Sequence, residues 1–465
     1  MRFILPLLAL SFVFSCGSAE HKKTNSDSVQ TVAVKAPVLR KGDFTDLAVT
    51  GNASNLFSIY LPSGYDSLKK HPVVIFFDAH GNGKLPMEKY KSIAEKWGYV
   101  FVGSNSSKNG MDGNQATRIG NELIAEVSKI VNVNEQEIIL CGFSGGARVA
   151  SNIALTNNAV KGLICNSAAP PQPMHGKVYV GLAGLGDMNY LEMKKFMGFQ
   201  SGNDFPYELL VFDGKHEWAP VNMMQNALLI CSTYDMATRI YDLDSSKSDA
   251  LEETILAQAD SIKKTSCLIA NNLLQTGLKT AGKPSAHDTL ILKKRRIESA
   301  ANSFEKNPCV KSDRDAWRKA EVEEKKLQEE LASAIMSQDT LWWKTNADKY
   351  FESKKDGADK FMHQRLRGYT SLMCYSYANQ AFKSNNLHAA EKLVAIYAIV
   401  DPENSEWAYM RANLYMQIGL NDYALSSLEK ATELGFNDKA RLQNDPVFAS
   451  LHGDPRFTAL TGKMN

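Results

Sequence analysis

Ser144, Asp187 and His216 are the residues of this chain whose types and order suit nucleophilic catalysis. Ser144 stands in Gly142-Phe143-Ser144-Gly145-Gly146, with glycines two residues before and two residues after it. That spacing matches a nucleophile elbow, a sharp strand-to-helix turn in which flanking side chains have no room. A serine hydroxyl attacks poorly near neutral pH until an imidazole takes its proton, and a carboxylate then steadies the imidazolium. The chain therefore holds a nucleophile, an acid and a base in the order Ser, Asp, His.

Strand and helix signals alternate around these residues. Phe57 to Leu61 alternates apolar and polar residues as a half-buried edge strand, and Pro72 to Phe77 is an apolar run suited to a strand covered on both faces. Met87 to Trp97 reads as a helix, Tyr99 to Val102 as a strand and Gln115 to Val131 as an amphipathic helix. Glu137 to Cys141 forms the strand entering the elbow, and Ala147 to Leu155 the helix leaving it. Val160 to Cys165, Val178 to Leu182 and Glu208 to Phe212 complete the strands. Such alternation predicts an α/β fold, a mostly parallel sheet with helices on both faces.

In such a sheet, ligands sit beyond the carboxyl ends of the strands, and three stretches lie there. Asp78-Ala-His-Gly-Asn-Gly83 is a glycine-rich turn; the backbone N–H groups of Gly81 and Asn82, with that of Gly145, are candidate oxyanion donors. His80 in this turn reads equally as a residue hydrogen-bonded within it. Gly184-Leu-Gly-Asp187 offers Asp187 as the orienting acid, although aspartate is common in such turns for local reasons. Asp213-Gly-Lys-His216-Glu-Trp218 offers His216 as the base, with the adjacent Glu217 pointing elsewhere as a structural residue.

Serine, acid and histidine in this order, each after a parallel strand, resemble the α/β-hydrolase superfamily. The Phe57 to Pro62 opening and the Gly-x-His-x-Trp ending resemble small secreted esterases of the polyhydroxybutyrate-depolymerase and feruloyl-esterase type. The likeness spans roughly residues 45–230. It implies Ser144 as nucleophile, His216 as general base and acid, and Asp187 as orienting carboxylate. Relatives often insert a lid or a helix where this chain has only Ser167 to Lys177, so an open, lidless site is expected.

At 465 residues the chain exceeds one ordinary core, and 44% apolar with 22% charged residues is a globular composition. A net charge of +2 points to no nucleic-acid partner, and Lys293-Lys294-Arg295-Arg296 reads as a solvated helix face. Residues 1–15 resemble a signal peptide, with Arg2 before an apolar Phe3 to Phe14 that is too short to span a bilayer. Val13-Phe-Ser-Cys16 resembles a bacterial lipobox, which makes Cys16 the expected lipidation site. Residues 16–44 then form a polar tether. The expected location is the cell envelope, anchored to the membrane by lipid alone, or secreted if Cys16 is not acylated. The other cysteines show no paired spacing and read as buried free thiols, and no metal or cofactor motif is present.

Beyond Trp218 helical periodicity takes over. Asp313 to Met336 forms one charged helix whose apolar side, with Trp317, Leu327 and Leu331, is interrupted by Glu324. Ala390 and Ala424 are 424 − 390 = 34 residues apart, a shift that also relates Tyr375 to Tyr409, Ala378 to Ala412, Val394 to Leu428 and Tyr397 to Ala431. That period resembles tetratricopeptide repeats, which implies a protein or peptide partner. Residues 371–465 are assigned to the repeats and their cap, and residues 231–370 to helical hairpins completing the stack. Two functions follow. One is an exported serine hydrolase, foremost a carboxylesterase acting on an acyl ester, either a small molecule or an ester linked to polysaccharide or peptide, with peptidase and acyltransferase chemistry open to the same residues. The other is an interaction scaffold with an inactive or ligand-binding hydrolase module.

Overall fold

Apolar runs too short for helices build the centre of the molecule, an eight-stranded sheet. The structure is a computed structural model, and it describes residues 39–199, 206–235, 240–241, 245–280, 288–353 and 355–464. Residues 1–15 and Cys16 lie outside the described residues, as does most of the expected tether. From Leu39 onward the chain forms one compact unit.

The strands are β1 (Phe44–Val49), β2 (Asn52–Tyr60), β3 (His71–Phe77), β4 (Val100–Ser104), β5 (Val133–Phe143), β6 (Gly162–Asn166), β7 (Val178–Gly184) and β8 (Tyr207–Phe212). Their order is β1-β2-β4-β3-β5-β6-β7-β8. β2 is antiparallel to both its neighbours, and β3 through β8 pair in parallel. This is the α/β-hydrolase architecture. Helices α1 (Lys84–Trp97), α2 (Gly113–Ile130), α3 (Gly145–Thr156), α4 (Tyr190–Phe199) and α5 (Val221–Thr233) fill the connections. Among the described residues, 167–177 join β6 to β7 without a helix or strand.

The helical half comprises α6 (Ser245–Ile262), α7 (Cys267–Thr280), α8 (Asp288–Glu305), α9 (Pro308–Ser337), α10 (Thr340–Phe351), α11 (Ala358–Lys383), α12 (Leu387–Val400), α13 (Ser405–Gln417), α14 (Asn421–Glu433), α15 (Lys439–Asn444) and, after a 3-10 turn at Pro446–Leu451, α16 (Pro455–Gly462). Asp445 and Asp454 cap the turn and α16 from the Asp-Pro steps, accepting from the amides of Val447 and Arg456. α11–α12 and α13–α14 form two helical hairpins. The small residues related by 34, Ala378 with Ala412 and Ala390 with Ala424, are all fully buried where the helices meet.

The expectation that residues 231–370 all join that stack needs correction. Ile255 of α6, Ile269 and Leu273 of α7, Ile297 of α8, Trp317 of α9 and Phe361 of α11 belong to one apolar core with the sheet. A second core runs from Leu331 of α9 through the hairpins to Met464. The physical reason lies at the sheet's last strand. Glu208 on β8 is buried and accepts from Thr276 Oγ1 at 2.9 Å, so α7 covers an edge that would otherwise be open.

The cysteine expectation also needs correction in part. Cys141, Cys165, Cys231 and Cys374 are buried and free, but Cys267 and Cys309 form a disulfide, with Cα atoms 6.0 Å apart. It joins the start of α7 to the start of α9, where Ser266, Asp313 and Trp317 share hydrogen bonds. Closing a loop of 42 residues restricts the unfolded chain by roughly 4 kcal/mol. Replacing both Cys267 and Cys309 by Ser should therefore lower the melting temperature by several degrees in thermal denaturation. An unchanged midpoint would show that the bond adds no stability.

Candidate active site

Ser144 caps α3 at φ 53° and ψ −118°, in the left-handed half of conformational space. A non-glycine residue stays there only where its surroundings hold it. A Cβ at Gly142 would lie 2.3 Å from the Gly146 carbonyl oxygen, and one at Gly146 would lie 2.0 Å from that of Phe77. Both glycines are thus required by close backbone approach. The turn is pinned further because the Ser144 N–H donates to the Asn166 carbonyl at 2.9 Å.

Three loops converge on this serine. His216 Nε2 lies 2.9 Å from Ser144 Oγ, and His216 Nδ1 lies 3.0 Å from Asp187 Oδ1. Asp187 is fully buried and His216 is about a quarter exposed, so the pair has a dry side and an accessible side. Asp187 Oδ1 also accepts the Asn189 N–H at 2.8 Å, which fixes the carboxylate's rotation. The Leu185 and Gly186 amides donate to the carbonyls of Phe212 and Gly214, both at 2.9 Å, tying the acid loop to the histidine loop. The His216 ring packs on Phe143, with ring centres 4.9 Å apart. Such a chain of groups can relay a proton from the serine to the imidazole while the carboxylate holds the ring.

The candidate oxyanion donors are placed differently from one another. Gly145 opens α3, where the first amides have no partner within the helix. The Gly81 N–H instead donates to the Asp78 carbonyl at 3.2 Å, closing its own turn. Asn82 accepts from the Leu85 amide with both its carbonyl and its side chain, and it is exposed. The Asp78–Ala79 peptide is nearer to the elbow, since a Cβ on Gly146 would lie 3.2 Å from Asp78 carbonyl carbon. Ala79 N is bonded to that carbon. Its carbonyl is held by the Asn109 amide at 2.8 Å, and the Asn109 carboxamide lies directly against Gly145.

His80 and Asp78 form a pair beside this turn. The Asp78 carboxylate accepts from the His80 backbone N–H at 2.8 Å and from Trp218 Nε1 at 3.2 Å. Burial pushes Asp78 up, but the hydrogen bonds of His80 and Trp218 outweigh it and leave the carboxyl below its ordinary value. The hydrogen bond to Asp78 raises the pKa of His80 despite partial burial, while the charges of Glu406 and Arg441 act on it in opposite senses. Glu217 accepts the Lys215 amide at 3.1 Å and stays exposed.

Asn166 was not singled out from the sequence. Its carbonyl holds Ser144, its Nδ2 donates to the Glu217 carbonyl at 3.1 Å, and its Oδ1 accepts the Ala219 N–H at 2.7 Å. It is fully buried and clamps the backbone on both sides of Trp218. Its one sequence signal is a polar residue ending the strand next to the elbow strand.

The sequence matches no family model and no curated protein. Among solved structures, the chain is similar to an S-formylglutathione hydrolase of Staphylococcus aureus, at 13% identity over 39% of this chain and 93% of that one, with a TM-score of 0.32. It is also similar to a feruloyl esterase module of Clostridium thermocellum, at 12% identity, 41% and 88% coverage and a TM-score of 0.35. A fluorophosphonate-binding serine hydrolase of Staphylococcus aureus matches at 12% identity, 41% and 98% coverage and a TM-score of 0.33. These neighbours are serine hydrolases and esterases.

Replacing Asn166 by Leu keeps its size but leaves the Ala219 amide and the Glu217 carbonyl unpaired in the interior. The expected loss is about 2–4 kcal/mol in urea denaturation. A change below about 0.5 kcal/mol would mean that water or neighbouring groups take over both bonds.

Proposed function

We propose that this chain is a serine hydrolase, most simply a carboxylesterase, that works through an acyl-enzyme. The observation that carries the reading is the continuous hydrogen-bonded line Ser144 Oγ, His216 imidazole and Asp187 carboxylate, at 2.9 and 3.0 Å. Ser144 Oγ attacks the acyl carbon as His216 Nε2 takes its proton. The Gly145 and Ala79 amides receive the developing oxyanion. His216 then protonates the leaving alcohol, and a water deprotonated by the same nitrogen releases the acid and restores the serine. The absence of a helix or strand between β6 and β7 suits a substrate whose ester sits at an open surface, as in a polysaccharide- or peptide-linked ester.

Export with an acylated Cys16 would place the enzyme on a membrane surface, and the Cys267–Cys309 disulfide supports an oxidising compartment. The two hairpins, of tetratricopeptide-like period, would present their exposed face to a protein or peptide partner.

Turnover of p-nitrophenyl acetate tests the chemistry. Ser144→Ala and His216→Ala should each lower kcat by roughly 10⁴-fold or more, and the double variant should be no slower than either single one, because the residues act as a unit. A folded Ser144→Ala protein with wild-type turnover would rule the mechanism out. For the anchor, Cys16→Ser should move the protein from the membrane to the soluble fraction, whereas unchanged fractionation would count against acylation.

A further inference from the structure

One buried ion pair joins the helical half to the acid loop. Arg365 of α11 and Glu324 of α9 are both fully buried. Arg365 Nη2 and Nε donate to Glu324 Oε2 at 2.6 and 2.9 Å, and the guanidinium lies over the rings of Tyr190 and Trp317. Its remaining arm, Nη1, donates to the Leu185 carbonyl at 2.7 Å. Leu185 is two residues before Asp187, and its own amide is held by Phe212. The same face of α11 meets the loop twice more. A Cβ on Gly186 would lie 2.3 Å from Gln364 Oε1, and one on Gly368 would lie 3.2 Å from Met188 Sδ.

Taking two charges out of water is costly, and apolar residues of similar volume often serve stability as well or better. Stability alone therefore gives little reason for Arg365. A guanidinium does what an apolar residue cannot: it fixes a carbonyl in one place while being held in one orientation by a bidentate partner. We propose that Arg365, oriented by Glu324, is a positioning residue that holds the Leu185–Asn189 loop, and with it Asp187, where His216 needs the carboxylate. The second half of the chain is then a structural part of the active site. This inference rests on the hydrolase reading for its effect on rate, but not for its effect on the loop.

The test replaces both charges in the full-length chain, as Arg365→Met/Glu324→Met, so that neither is left unpaired. Two readouts are taken. Amide hydrogen exchange at residues 185–189 should quicken by at least tenfold, whether or not the protein is an esterase; unchanged exchange overturns the proposal. With p-nitrophenyl acetate, kcat should fall by roughly 100-fold with little change in KM. In an Asp187→Asn background the same pair of replacements should cause no further fall. An equal fall in both backgrounds would mean a general structural effect and would also overturn it. A wild-type protein without Ser144-dependent turnover would sink the hydrolase reading and leave the exchange result to judge the loop. Should the double variant fail to fold, Gly186→Ala supplies the second route. The added methyl meets Gln364, so exchange at 185–189 should quicken in Gly186→Ala and return toward wild type in Gly186→Ala/Gln364→Ala. No recovery would overturn the proposal.

Discussion

The backbone of Ser144 is the constraint on which the site depends. Its φ of 53° is unfavourable for a side chain with a Cβ, and it persists because the backbone on both flanks of the elbow is held in place. Phe77 and Gly146 leave no space for larger residues, and the Asn166 carbonyl holds the serine amide. The benefit of that strain is direction. It turns Oγ toward His216 beyond the carboxyl end of the strand, where a continued strand would have pointed it into one face of the sheet.

Around that corner, polar contacts knit the loops into a single frame. Asn166 ties the elbow to the histidine loop, Asn189 ties the acid loop to Ser167, and the Leu185 and Gly186 amides tie acid loop to histidine loop. Each bond is worth only about 1 kcal/mol net, yet leaving any of these buried groups unpaired costs more than the bond contributes. Tyr90 Oη and Lys89 Nζ add contacts to the carbonyls of Ala219 and Trp218 at 2.7 Å. The frame therefore holds the loops together where the proposed chemistry needs alignment. The accessible part is left to Ser144, the outer edge of His216 and the turn near His80.

Much of this was legible in the sequence because the sheet advertises itself. Each inner strand is a short apolar run, and polar, glycine-bearing turns follow the strands that carry the acid and the base. Hence Ser144, Asp187 and His216 could be placed at one sheet edge before any coordinates. β1 was missed since its residues are half exposed and carry a weak alternation. The disulfide was missed because its cysteines lie 42 residues apart in helical sequence, with no paired spacing to suggest that they meet. Gly81 looked like a free donor, but its amide closes the turn that makes the glycine necessary. The clearest signal left without an explanation in the sequence is Glu324. It broke the apolar side of α9, and its partner Arg365 was 41 residues further on, invisible to any local pattern. A charge in an apolar stripe is a sign that something distant must meet it.

The proposed chemistry requires Ser144 to be a nucleophile raised by its neighbours above the other serines. Its most direct measurement is the mass and position of the adduct after treatment with a fluorophosphonate. One phosphonyl group should be found per chain, on the peptide that contains Ser144, and it should vanish when the protein is unfolded first. No adduct on the folded protein, or one spread over other serines, would contradict the account.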